Sequence, residues 1–247
     1  MTLTKMNSNI AIIITAAGSS TRMGGSIKKE YLPYNNGTVL SNCAKTFLKT
    51  CLNNNYEITD FIITYPKNHI QACYDAIKAD KNLHELICEF KSKYKGEFHF
   101  VPGAETRQMS VFNALKAVKG NPHIVLIHDG ARPFISEKII TETIENVVKY
   151  GAAVPGITPT DTQKEVDEKG FIVRHLQRSL LTAVQTPQGF DFKKLLQAHE
   201  RGRLDGKEYT DDTEIWGKYV GPVKVIEGDV KNIKITYPGD LEKLQTK

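Results

Sequence analysis

Cysteine is scarce in this 247-residue chain. Its four copies, Cys43, Cys51, Cys73 and Cys88, form no C-x-x-C pair and have no histidine at ligand spacing. That excludes a zinc ribbon and a disulfide framework, so they read as free, mostly buried thiols of a reducing compartment. Long apolar runs are missing too. The longest, residues 10–17, is too short to span a bilayer, and only Lys5 precedes it as a basic residue. It is therefore neither a membrane helix nor a signal peptide, and a cytoplasmic location is expected. No segment interleaves dense basic and aromatic residues. The net charge of +5 is explained by anionic small substrates without invoking nucleic acid. The seven histidines are dispersed, and neither a Ser-His-Asp order nor a pair of glutamates stands out. There is no repeat, low-complexity tract or linker, so residues 1–247 read as one domain.

What is present begins at Ile10. The run Ile10-Ala11-Ile12-Ile13-Ile14-Thr15 is β-branched and too short for a helix, and so predicts a buried strand. It breaks into Ala16-Ala17-Gly18, whose small side chains let a ligand approach the backbone. Hydroxyls follow at Ser19, Ser20 and Thr21, then the cations Arg22, Lys28 and Lys29. A strand end opening into a small-residue loop with cations outlines a phosphate cradle. The loop fits neither Walker A, since Met23 stands five residues after Gly18, nor the dinucleotide fingerprint, since Ser20 stands where a second glycine is needed. An ordinary βα turn is the plainer alternative.

Periodicity predicts strands over 10–15, 61–65, 97–101, 124–127 and 152–155, and helices over 39–52, 67–79, 83–94, 107–118 and 137–150. This alternation predicts an α/β fold: a doubly wound parallel sheet with ligands bound beyond the carboxyl ends of its strands. The polar groups there are Thr15 to Arg22, Tyr65-Pro66, Gly103 to Arg107, His128 to Arg132 and Pro155 to Asp161. Residues 157–181 interrupt the pattern. A polar stretch to Lys164, a charged turn over 165–170 and a strand over 171–176 make a hairpin arm. With little core of its own, the arm must pack on something, either a second subunit or its own domain.

Several constellations offer chemistry. Asp129, just past a buried strand, suits Mg²⁺ or a ribose hydroxyl, and Arg132 suits a phosphate, although a surface Asp–Arg pair is the plainer account. His128 reads as structural. Thr106 is placed to cap the helix after Gly103, with Ser110 facing the same turn. Tyr209-Thr210-Asp211-Asp212 reads as a helix N-cap with acids in the first turn. The alternation ending at Thr236 reads as a strand carrying Lys234.

Taken together, Ala16-Ala17-Gly18-x-x-x-Arg22-Met23, Lys29, Gly103-x-x-Thr106-Arg107-x-x-Ser110, His128-Asp129-x-Ala131-Arg132-Pro133, Asp161-Thr162-x-Lys164, Arg178, Gln185-Thr186-Pro187-Gln188, Thr210-Asp211-Asp212 and Asn232-Ile233-Lys234-Ile235-Thr236 form one ordered series. The series resembles the 2-C-methyl-D-erythritol 4-phosphate cytidylyltransferases of the non-mevalonate isoprenoid pathway. The resemblance implies a Rossmann-like nucleotidyltransferase sheet with a β-arm that interlocks a homodimer, and a Mg²⁺-dependent transfer of CMP from CTP. It implies Arg22, Lys29 and Lys234 around the reacting phosphates. Ala16, Ala17, Gly18, Gly103, Ser110 and Asp129 would border the nucleotide, with Asp129 also beside the metal. Arg132, Thr162, Arg178, Thr186 and Thr210 would hold the polyol phosphate. Three departures stand out: Lys28 replaces the usual proline, Ala104 replaces the second glycine, and residues 78–97 look long. A ribitol 5-phosphate cytidylyltransferase and a non-catalytic nucleotide-binding protein of the same fold are the alternatives.

Overall fold

The computed structural model describes residues 9–18 and 27–242. Strand β1 (Ile10–Thr15) forms where the apolar run predicts. A small hairpin of β2 (Pro33–Tyr34) and β3 (Gly37–Thr38) leads into α1 (Val39–Asn53). Thr38 starts that helix by accepting from the Ser41 N–H, while the Ser41 hydroxyl accepts from the Thr38 N–H. Then follow β4 (Ile58–Tyr65), α2 (Ile70–Lys78), α3 (Lys81–Tyr94) and β5 (Glu97–Pro102). The middle of the chain holds α4 (Arg107–Ala117), β6 (Ile124–Asp129), α5 (Glu137–Tyr150) and β7 (Ala152–Ile157). The arm carries β8 (Lys164–Val166) and β9 (Ile172–His175). The C-terminal part adds β10 (Ala183–Val184), β11 (Gln188–Asp191), α6 (Phe192–Leu204), α7 (Asp212–Tyr219) and β12 (Lys224–Glu227).

Among the described residues eight strands share one sheet, in the order β10-β7-β11-β6-β1-β4-β5, with β12 also on β7. The pairs β1–β4, β1–β6, β4–β5 and β7–β12 are parallel. The expected parallel sheet is mixed on one flank: β11 inserts antiparallel between β6 and β7, and β10 pairs antiparallel with β7. Both faces of the central strand are covered. Ile10, Ile12 and Ile14 pack on one side with Phe47, Phe61 and Ile140, and Ala11 and Ile13 on the other with Val111, Phe190 and Trp216. A strand buried on both faces has no polar alternation, which is why β1 reads as an unbroken apolar run.

Residues 78–97, without a role in the sequence, supply α3. Asp80 caps it, accepting from the Asn82 and Leu83 N–H groups, and is paired with Lys45 of α1. Leu83 and Phe90 join the core beneath. In the arm, Lys164–Val166 pairs antiparallel with Ile172–His175, so the turn is narrower than the 165–170 expected. Asp167 closes it, accepting from the N–H groups of Lys169 and Phe171. Among the described residues, no helix is long and apolar enough to cross a membrane.

Candidate functional site

Strands β1, β4, β5 and β6 all run the same way, so their carboxyl ends open on one side. From β1 the chain moves to β4 and β5 on one flank, then returns to β6 on the other. That reversal leaves a crevice between the strand ends. A cleft of about 1120 Å³ lies there, and Thr15, Thr64, Pro102 and Asp129 line it from the four strands. In register, Thr15 stands opposite Asp129.

Backbone forms much of the cleft wall. The Gly103 N–H donates to the Tyr65 carbonyl at 2.8 Å, which ties the loop after β5 to the end of β4. A Cβ on residue 103 would stand 2.2 Å from that of Ala17, so only glycine lets these two loops touch. Ser110 Oγ accepts from the Ala104 N–H and donates to the Thr106 carbonyl, both at 2.9 Å. Thr106 caps α4 as expected, accepting from the Met109 N–H. Ala17, Gly18, Gly103 and Ser110 line the cleft. Ala16 is buried behind them, its N–H donating to Thr64 Oγ1.

The cations come from distant positions. Lys29 lies almost buried on a short helical turn, Lys29–Tyr31, and lines the cleft. Lys28, which stands where the resemblance has a proline, is engaged: its Nζ donates to the Gly18 carbonyl and lies 3.5 Å from Glu30. Arg22, with Ser19, Ser20 and Thr21, falls outside the described residues. Lys234 is not on a strand, contrary to expectation. Its segment is placed by scattered bonds: Ile235 N–H to the Ala131 carbonyl, Arg132 Nη1 to the Asn232 carbonyl, and Asn232 Nδ2 to the Thr186 carbonyl.

These bonds bring Lys234 Nζ to 2.8 Å from Asp129 Oδ2. Arg132 Nε lies 3.6 Å from the same oxygen, and Thr15 donates to Oδ1 at 3.3 Å. Burial pushes the Asp129 carboxyl up, but Lys234, then Arg107 and Arg132, outweigh it and hold the group well below the usual carboxylate range. Asp129 is therefore an anion at any working pH. It is not the surface pair that its spacing from Arg132 allowed.

Beneath it the hydrogen bonds fix one tautomer. His128 Nε2 faces the Arg132 carbonyl at 3.2 Å and must carry the hydrogen. Its Nδ1 then accepts from the Thr186 hydroxyl at 3.0 Å, and that hydroxyl accepts from the Asp129 N–H at 3.1 Å. Thr186 thus lies under the carboxylate and does not line the cleft. Burial pushes the His128 imidazole down to about 4. The unfolded chain then binds a proton that the folded one refuses, so stability falls as pH drops from about 6.5 toward 4. The loss should reach about 3 kcal/mol. Urea unfolding across that range should show it, and His128→Gln should flatten the curve. An unchanged slope in the variant would remove His128 as the cause.

Thr162 and Arg178 lie exposed on the arm, where an Arg178 Nη1 donates to the Thr160 carbonyl at 2.5 Å. Thr210 is exposed just before α7, its N–H and hydroxyl both donating to Glu214. None of the three lines the cleft. Asp211 caps α7, with Asp212 and Glu214 in its first turn, as the sequence predicts. The cleft is also lined by polar side chains to which the sequence assigns no role, among them Glu30, Thr64, His69, Glu105 and Arg107. Arg107, one of the polar groups expected beyond the strand ends, lines the cleft with Nη1 2.8 Å from Asp212 Oδ2.

Among the described residues, no group of three or more His, Cys, Asp or Glu side chains converges as a metal cage. Asp129 and Glu30 line the cleft. A hard cation fits that donor set only in the Mg²⁺ manner, with one carboxylate from the protein and the rest from phosphate and water.

The family model described as 2-C-methyl-D-erythritol 4-phosphate cytidylyltransferase matches residues 10–246. A protein of that name from Clostridium botulinum (strain 657 / Type Ba4) is 39% identical over 232 residues, 94% of this chain and 93% of its own. One from Clostridium novyi (strain NT) is 37% identical over 236 residues, 96% and 94% of the two chains. The crystal structure of 4-diphosphocytidyl-2C-methyl-D-erythritol synthase from Anaerococcus prevotii superposes with a TM-score of 0.74 at 29% identity, covering 96% of this chain and 95% of that one. The Francisella tularensis 2-C-methyl-D-erythritol 4-phosphate cytidylyltransferase gives 0.73 at 26% identity, covering 96% and 99%.

Proposed function

The chain belongs to the 2-C-methyl-D-erythritol 4-phosphate cytidylyltransferase family, and from that premise we propose that its cleft transfers CMP from CTP to 2-C-methyl-D-erythritol 4-phosphate in isoprenoid biosynthesis. One observation supports the reading above the rest. Lys29, Asp129 and Lys234, spread over most of the chain, meet at the switch point of the sheet. In the reaction a phosphate oxygen of the polyol phosphate attacks the α-phosphorus of CTP. The bond to the β-phosphate breaks, and pyrophosphate leaves with that electron pair. The nucleophile is already an anion, so no general base is needed. The requirement is in-line positioning and tolerance of crowded negative charge. Lys29, Lys234 and Arg22 meet it by stabilising charge on the five-coordinate phosphorus.

Ala16, Ala17, Gly18, Gly103 and Ser110 would border the cytidine, where backbone groups and the Ser110 hydroxyl read the base. Asp129 would hold a divalent cation, Mg²⁺ in this reading, which supplies charge neutralisation between the phosphates. Arg132, Thr162, Arg178, Thr186 and Thr210 would hold the polyol phosphate. Thr186 already donates to His128 and accepts from Asp129, which leaves it one acceptor lone pair. Residues 1–247 form one catalytic domain, and its arm exposes Phe171, Ile172, Val173 and Leu180, all more than half accessible. An apolar arm without cover is explained by a homodimer in which it packs on the partner.

The test is pyrophosphate release by the purified protein with CTP, Mg²⁺ and either polyol phosphate. Turnover on 2-C-methyl-D-erythritol 4-phosphate supports the reading. Silence, or faster turnover on ribitol 5-phosphate, refutes it. Within that assay Asp129→Asn should raise the half-saturating Mg²⁺ concentration by roughly tenfold or more, the scale of changes that retune a metal site. Thermal stability should change far less. A metal titration matching wild type would leave Asp129 a ribose contact only.

A further inference from the structure

Arg107, Asp212 and His199 form a chain running from the cleft wall into the core. Arg107 lines the cleft, and its Nη1 lies 2.8 Å from Asp212 Oδ2. Asp212 is fully buried, and its Oδ1 accepts from His199 Nε2 at 3.0 Å. His199 is buried on α6, close to parallel with the Phe112 ring. Among the described residues its Nδ1 meets no partner, so its polar contact is with Asp212. A carboxylate this deep is costly unless paired on both oxygens. Here one oxygen faces the guanidinium and the other the imidazole. The backbone around it is also fixed: the Asp212 N–H donates to Gln188, Gln188 donates to Asp211, and Gln108 accepts from the Tyr209 N–H. The carboxylate therefore has little freedom to follow Arg107 if the arginine moves. A fixed anion with a second fixed contact behind it is the arrangement that orients a side chain.

The orientation has a consequence because the same cleft wall holds Asp129, and the Arg107 charge acts on that carboxylate. A guanidinium released from Asp212 would still share the cleft with the Asp129 carboxylate and could compete with Lys234 for it. We propose that Asp212 and His199 are positioning residues that hold the Arg107 guanidinium fixed on the cleft wall, keeping the Asp129 carboxylate for Lys234 and the bound phosphates. This inference rests on the nucleotidyl-transfer reading for its kinetic consequence. The tether itself does not depend on it.

Two measurements separate the parts. The first needs no substrate: solvent exchange of the Arg107 Nη–H protons, the ones that face Asp212, followed by NMR on the full-length protein. Exchange should be slow in wild type and at least tenfold faster in Asp212→Asn, with an intermediate rate in His199→Gln. The second is a double-mutant cycle on kcat/KM with CTP and 2-C-methyl-D-erythritol 4-phosphate. Asp212→Asn should lower kcat/KM at least tenfold and raise the half-saturating Mg²⁺ concentration. In an Arg107→Met background the same change should have little further effect, because the released cation is gone. Equal exchange rates in wild type and Asp212→Asn overturn the tether. Additive losses in the cycle show that Asp212 serves stability alone and overturn the positioning role. If Asp212→Asn does not fold, His199→Gln carries both measurements. A wild-type protein that releases no pyrophosphate refutes the functional reading and the kinetic half together, and the exchange rates then decide the tether.

Discussion

Replacing Lys29 by alanine is expected to lower kcat at least a hundredfold while the protein stays folded. The side chain lines the cleft from a short helical turn next to the β1 loop. Its charge matters most when the α-phosphorus becomes five-coordinate and a further negative charge must be held. A preorganised cation aimed at that charge is worth about 3 kcal/mol or more, the cost of removing one oxyanion donor elsewhere. Interactions realised only in the transition state leave KM nearly intact, so the loss should appear in kcat. Lys29 is also nearly buried, so part of any loss could come from packing. Lys29→Met, which keeps the stem and removes the charge, separates the two. Folded variants with near-normal kcat would show that Lys29 takes no part in the chemistry.

Arg178→Ala is expected to raise KM for the polyol phosphate by roughly ten- to a hundredfold, the size of one charge-assisted hydrogen bond, with CTP affinity nearly unchanged. The residue lies exposed at the base of the arm and does not line the cleft of its own chain. The two facts are reconciled if it serves the partner's site. Subunit exchange tests this. A dimer of one Lys29→Ala and one Arg178→Ala chain has one site with both lesions and one with neither. Activity should therefore return on mixing, to about one intact site in four at equal amounts. Two silent variants that stay silent after verified exchange mean that each site is built from a single chain.

Much of the site wall was legible because it sits where local signals are strong. β1, β6 and α5 announce themselves by apolar periodicity and by the break into small or charged residues at their ends. β11 did not. It has four residues, follows a proline, and pairs only with strands far away in sequence. β12 hides its strand character behind three exposed positions of four. Lys234 looked like a strand residue because its neighbours alternate, yet no ladder receives them and long-range bonds set its place. Arg107 stands among the polar groups expected at the strand ends, but its ion pair leaves no local signal, because its partner, Asp212, lies at the start of a distant helix. Local pattern reports which residues an element contains. It carries no record of a contact made across the chain.

The insertion of β11 between β6 and β7 also bears on how the chain emerges from the ribosome. β1, β4, β5 and β6 can pair as soon as they are made, but the outer edge of β6 stays open until β11 appears about 60 residues later. At ordinary synthesis rates that interval is roughly 3–12 s. For its duration a bare apolar strand edge is offered to other nascent chains, and the arm is synthesised within it. Lys234 arrives later still. The Asp129 carboxylate, already anchored on β6, therefore waits unpaired with Lys234 until nearly the whole polypeptide has been translated. A chain truncated before that point would have most of its sheet and no assembled site.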